Sequence, residues 1–115
     1  MKNNLAKKEI VAQYKEREII GGVYAIKNTL NNMLLLGAST DLRGMKNRFE
    51  FSQKTGSCVD LKLQNDWSAQ GGELFAFEVL EELRKSETQT MEEFKADIEV
   101  LKEIWADNLD GRDFY

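Results

Sequence analysis

The 115-residue chain has no histidine, no proline and one cysteine, Cys58. Without histidine, imidazole general bases, His-based triads and histidine metal sites are excluded. Acid–base chemistry would have to run through carboxylates, tyrosine or lysine. One cysteine rules out an intrachain disulfide and any multi-cysteine metal site. Without proline, turns must be made by Gly, Asn and Asp. No apolar run approaches the roughly 18–20 residues of a membrane span. The opening MKNNLAKKEIVAQ is charged throughout and has no apolar signal core. The expectation is a cytoplasmic protein with no membrane partner.

What is present is enough for one domain. The chain is 42% hydrophobic and 31% charged, so it can bury a core and remain soluble. Its net charge of −4 argues mildly against tight non-specific nucleic-acid binding, which needs a positive footprint. A local basic face remains open.

The chain is organised around Gly22–Gly37, GVYAIKNTLNNMLLLG, two apolar runs about a polar turn. Before it, residues 2–18 read as a helix with Ala6, Ile10, Val11 and Tyr14 on one face, ended or bent by Gly21-Gly22. Residues 23–28 read as a strand, 28–32 as a turn, and 33–37 as a return strand. The continuous apolar run of that return strand suggests a central position, buried on both faces. Ser39-Thr40-Asp41 is a helix-start signal, and Leu42, Met45 and Phe49 form the apolar stripe of the helix that follows. Gly44 within it suggests a close approach. A second short helix is expected from about Val59 to Ser68, with Val59, Leu63 and Trp67 on one face. Residues 74–80 read as a third strand and Glu82–Gln89 as a polar loop. Thr90 and Glu93 fit a capping box that opens a long helix. That helix carries Met91, Phe94, Ile98, Leu101 and Trp105 at helical spacing. The tail, 110–115, reads as loosely held. The class is α/β (α+β), a small three-stranded mixed or antiparallel sheet flanked by helices.

The hairpin also carries a resemblance. Gly22-Val23-Tyr24, Leu35-Leu36-Gly37, then Ser39 and Asp41-Leu42 opening a helix, with IKNTLNN between and Lys62-Leu63-Gln64 and Val79–Leu83 further on, resemble the GIY-YIG nuclease superfamily. The resemblance is greatest to the catalytic domain of a phage intron homing endonuclease, and a bacterial or phage origin fits it. It spans about residues 22–105, with 1–20 as a helical extension. It implies a shallow nuclease site on the sheet surface: two tyrosines near the scissile phosphate, an arginine and a tyrosine or histidine on the next helix, and a glutamate on the last helix holding one divalent metal. Position by position, Tyr24 matches the first tyrosine. Leu35 stands at the second tyrosine, Met45 at the arginine, Phe49 at the histidine one turn on, and Cys58 at a further histidine. Asp97 and Glu93 are the candidates for the metal ligand, with Asp97 preferred because it borders the apolar stripe.

These substitutions run in one direction. Met45 and Phe49 are i and i+4 and meet on one helix face, and Leu35 makes the same polar-to-apolar change on the facing strand. A phosphate bound there would strand its charge at a cost of several kcal/mol. Arg43 lies about 200° round the helix from the arginine position and Arg48 about 300°, which makes Arg48 the nearer substitute. Lys46, Arg48, Lys54 and Lys62 among Phe49, Phe51 and Trp67 could form a nucleic-acid surface; the same aromatics could equally be core. Two readings follow. In the first, the domain has lost nuclease activity and is a binding or regulatory module, on DNA or another nucleic acid or on a protein partner, with no cofactor. In the second it is a metal-dependent endonuclease using Tyr24, Arg48 and Asp97 with Mg²⁺ or Mn²⁺.

Overall fold

The computed structural model of the chain describes residues 18–115. The helix expected over 2–18 therefore falls almost wholly outside the described residues. In order, the elements are β1 (Ile20–Asn28), β2 (Leu34–Ser39), α1 (Leu42–Thr55), a 3₁₀ turn at Leu61–Leu63 running into α2 (Gln64–Gln70), a second 3₁₀ turn at Gly72–Leu74, β3 (Phe75–Arg84) and α3 (Met91–Asn108).

The three strands form an antiparallel sheet in the order β2-β1-β3. The first strand, not the return strand, is thus the central one. β2 is an edge strand buried on both faces because helices cover both. One face carries Tyr24, Ile26, Leu35, Phe75 and Phe77, and packs on Leu42 and Phe49 of α1 and on Leu63 and Trp67. The other face carries Val23 and Ala25 and is covered by α3 through Phe94 and Ile98. Ile98 comes so close to the sheet that a Cβ at Gly21 would lie 2.6 Å from its Cδ1. No helix among the described residues is long and apolar enough to cross a membrane.

Local signals explain most of the boundaries. Asp41 caps α1, its carboxylate accepting from the Gly44 amide at 3.0 Å. The close neighbour expected at Gly44 is that same carboxylate. Gly56 closes the helix in the left-handed conformation. Thr90 and Glu93 form the full capping box of α3, at 3.0 and 3.1 Å.

Three expectations are corrected. Gly21 and Gly22 do not end the preceding segment; they lie inside β1, and Gly22 is paired on both sides. β3 runs on through Glu82–Arg84, residues read as loop, because Ile20–Gly22 pair with them. The register shifts between Val23 and Tyr24, where β3 accommodates one extra residue. The tail is held. Leu34 donates to the Asp113 carbonyl at 2.9 Å, Tyr115 donates to the Leu34 carbonyl at 2.8 Å, and Phe114 bridges Leu34 in parallel along the free edge of β2.

Candidate functional site

Tyr24 sits in the middle of β1, directly across from Gly37 on β2. Its ring lies over that glycine: a Cβ at position 37 would be 2.3 Å from the Tyr24 Cζ. The spaced tyrosine and glycine of the sequence are therefore one contact, a ring and the gap that admits it. On its other side the ring stacks on Phe77, with centroids 5.0 Å apart. Only 8% of Tyr24 is exposed. Its pKa is raised above the usual 10.0. Burial is the main cause, followed by the negative charge of Asp60, against a smaller lowering by Arg48.

Behind Tyr24 the inward row of α1 closes the face. Leu35, Leu42 and Phe49 are buried in one apolar cluster with Tyr24, and Met45 packs against it. Phe49 meets Trp67 edge-on at 6.1 Å and Phe77 at 5.7 Å. Leu35, Met45 and Phe49 thus fill the space beside Tyr24 rather than bounding a cleft.

The loop before α2 brings polar groups to this cluster. The Asp60 carboxylate caps the 3₁₀ turn by accepting from the Lys62 amide at 2.9 Å. Its carbonyl accepts from Cys58 Sγ at 2.9 Å. Cys58 is half-buried against the same cluster. Asp60 was not singled out by its sequence, although an aspartate two residues before a lysine amide is an ordinary cap signal. A second polar group also escaped sequence reading. Asn28 is fully buried, and its Nδ2 donates to Gln70 Oε1 and Tyr115 Oη, each at 2.8 Å, with Asp66 at 3.5 Å. Tyr115 in turn donates to Asp66 at 2.6 Å, and burial followed by that bond raises its pKa. Nothing in local spacing joins residues 28, 66, 70 and 115.

The acidic candidates lie elsewhere. Glu93 and Asp97 are on α3, which covers the sheet face opposite Tyr24. Glu93 is used in the capping box, and its pKa is lowered by hydrogen bonds from the Thr90 amide and side chain. Asp97 accepts from Gln89 Nε2 at 2.5 Å. Among the described residues no three Asp, Glu or Cys side chains converge as a metal-holding group. Neither carboxylate shares a face with the tyrosine, so the residues do not fit a metal beside Tyr24.

The basic candidates are divided. Arg48 is exposed on α1 and is close enough to Tyr24 to influence its titration. Lys46, two residues and about 200° away, faces the opposite side, between α1 and β3. Lys54 lies in the last turn of α1 and Lys62 in the 3₁₀ turn, both exposed. Phe49 and Trp67 are core, while Phe51 is exposed.

No family model matches the chain, and no curated protein does. Two solved structures do. Both are of the catalytic domain of the intron homing endonuclease I-TevI, one a point variant. Each is 27% identical to this chain, with TM-scores of 0.58 and 0.55; the matches cover 80% and 78% of this chain and 86% and 88% of those. This is a GIY-YIG-fold domain. Within it Gly22, Tyr24 and Gly37 keep the spacing that marks the hairpin, and Tyr24 and Gly37 are in contact. Leu35 and Phe49 are core beside Tyr24, and Met45 packs against them.

Proposed function

We propose that this GIY-YIG-fold domain has lost phosphodiesterase chemistry and acts as a binding or regulatory module, with nucleic acid as its partner. One observation carries the reading: Leu35, Met45 and Phe49 pack into a dry cluster against a nearly buried Tyr24. A phosphodiester brought there would give up its hydration with no cation in the cluster to replace it. The Tyr24 hydroxyl, pushed toward its neutral form by burial, is also a poor base at neutral pH. Nucleic acid is the favoured partner because the two similar structures are catalytic domains of an endonuclease, and because Lys46, Arg48, Lys54 and Lys62 all reach solvent.

Binding of duplex DNA, measured across salt concentrations, tests this. Replacing Lys46, Lys54 and Lys62 together by alanine should weaken binding at every sequence and flatten the log–log salt slope by about one for each lysine that contacts phosphate. Salt-insensitive binding, or none, would remove nucleic acid and leave a protein partner. The chemical half is tested by nicking of supercoiled DNA with Mg²⁺ or Mn²⁺, where no product is expected.

The proximity of Arg48 to Tyr24 favours a second reading, an endonuclease with a rearranged site. It requires metal-dependent nicking that disappears in both Tyr24→Phe and Arg48→Ala, with the metal held otherwise than by Asp97, which lies across the sheet.

A further inference from the structure

Helix α1 is a basic element in an acidic chain. It carries Arg43, Lys46, Arg48 and Lys54 against one acid, Glu50, a net of +3, while the whole chain is −4. Its inner row is buried against the sheet through Leu42 and Phe49. Phe51 lies about 180° round the helix from Leu42, at roughly 100° per residue, so it points away from that packing. It is 65% exposed and meets no other ring among the described residues. Arg48 and Lys54 stand three residues before and three after it, about 60° to either side. Neither forms an ion pair among the described residues, where Glu18 pairs with Arg84. Glu50 turns toward β3 and borders a groove there with Val79 and Glu82.

We propose that this outer face of α1 binds an unpaired nucleic-acid strand, with one base stacked on Phe51 and the neighbouring phosphates paired with Arg48 and Lys54. The inference rests on the nucleic-acid reading above and narrows it to a single-stranded partner and to the residue that selects it. The charge is complementary, because α1 presents positive charge in a chain that is otherwise negative. The ring supplies what the cations cannot. Every base has a π-face, and stacking on an exposed aromatic is tolerant of sequence. In a duplex those faces are already covered by neighbouring base pairs, so Phe51 gains little from a paired strand, whereas Arg48 and Lys54 attract both forms. A protein partner fits this face less well. Phe51 is the one large apolar side chain on the outer side of α1 and lies between two charges, whereas the core of a protein interface is depleted of charge.

Binding of one non-self-complementary oligonucleotide to the full chain, as a single strand and annealed to its complement, tests this across salt concentrations. The strand is made both as DNA and as RNA, and the tighter of the two identifies the form taken. Phe51→Ala should weaken single-strand binding by about 5- to 150-fold, the range of one lost base–aromatic stack, and should lower the ratio of single-strand to duplex affinity. Phe51→Trp should restore that ratio, and the emission of its new indole should be quenched by the single strand. Phe51→Leu, apolar but without a π-face, should not restore it. Arg48→Ala and Lys54→Ala should each flatten the single-strand salt slope by about 0.7. Ile104→Ala, exposed on α3 across the sheet, should leave the ratio unchanged. In Phe51→Ala, an equal loss on both forms or no loss on the single strand would overturn the proposal, as would rescue by Phe51→Leu. Each of these leaves duplex binding, and with it the reading above, standing. Binding of neither form would overturn both.

Discussion

Phe49 occupies a position where the resemblance to GIY-YIG nucleases implies a polar side chain, yet it is 3% exposed and touches two other aromatic rings. As a core residue, its truncation in Phe49→Ala should cost about 3–5 kcal/mol, as other buried phenylalanine truncations do, read as a lower urea midpoint at unchanged m-value. A loss below about 1 kcal/mol would mean that the cluster is not the packed core described here. Tyr24 makes a second prediction at the same scale. Its folded pKa lies above 10.0, chiefly through burial. The folded state therefore holds a proton that the unfolded state releases, so the contribution is complete below about pH 10 and is lost as pH rises through the folded value. Tyr115 acts in the same direction. Alkaline denaturation should begin near pH 10, and Tyr24→Phe should make stability less pH-dependent above that point; an unchanged profile would contradict a buried, neutral tyrosine. The apolar cluster of Leu35, Met45 and Phe49 was legible in the sequence because all three lie on apolar runs or stripes close to the hairpin glycines. Asp60 and Asn28 were not, because their importance lies in charge and hydrogen bonds reaching other segments of the chain.

Among the elements, the strands differ from expectation for physical reasons. The run Met33–Leu36 suggested a central strand, since burial on both faces usually marks one. Here helices lie on both sides of a narrow sheet, so even an edge strand is doubly covered. Conversely, Glu82 and Arg84 resembled loop, but charged side chains are what an edge strand carries toward solvent, and β3 pairs only with β1. That pairing brings the β3 backbone over Gly22. A Cβ there would lie 2.0 Å from the Glu81 carbonyl oxygen. The Gly22 φ of 150° is also one that side-chain-bearing residues rarely adopt. Gly22→Ala should therefore cost about 3 kcal/mol or more, in the upper range of overpacking and strain. Hydrogen exchange should show the loss concentrated in β3 between Val79 and Arg84. Equal protection in variant and parent would place the demand for glycine elsewhere.

At the scale of the whole molecule, the order of elements and the two-sided covering of the sheet follow from periodicity and caps, whereas closure of the sheet edge does not. The final residues add backbone bonds to β2 at Leu34 and bring Tyr115 into the Asn28–Asp66–Gln70 cluster. A sequence ending in polar and aromatic residues after a helix stop gives no sign of this, because the β2 partner lies near the other end of the chain. The tail protects the molecule in two ways: it satisfies the free backbone edge of β2, and it completes the hydrogen bonding of a fully buried amide. Removing residues 113–115 should leave Asn28 and Asp66 with fewer partners, a loss of about 1–3 kcal/mol. It should also open the β2 edge to pairing with other chains. Urea unfolding and sedimentation velocity separate the two effects. A lower midpoint at dilute concentration reports the lost cluster, and a dimer that grows with concentration reports the exposed edge. Tyr115→Phe, which keeps the backbone bonds, should reproduce the first effect without the second. A truncated chain as stable and as monomeric as the parent would show that the strap contributes to neither.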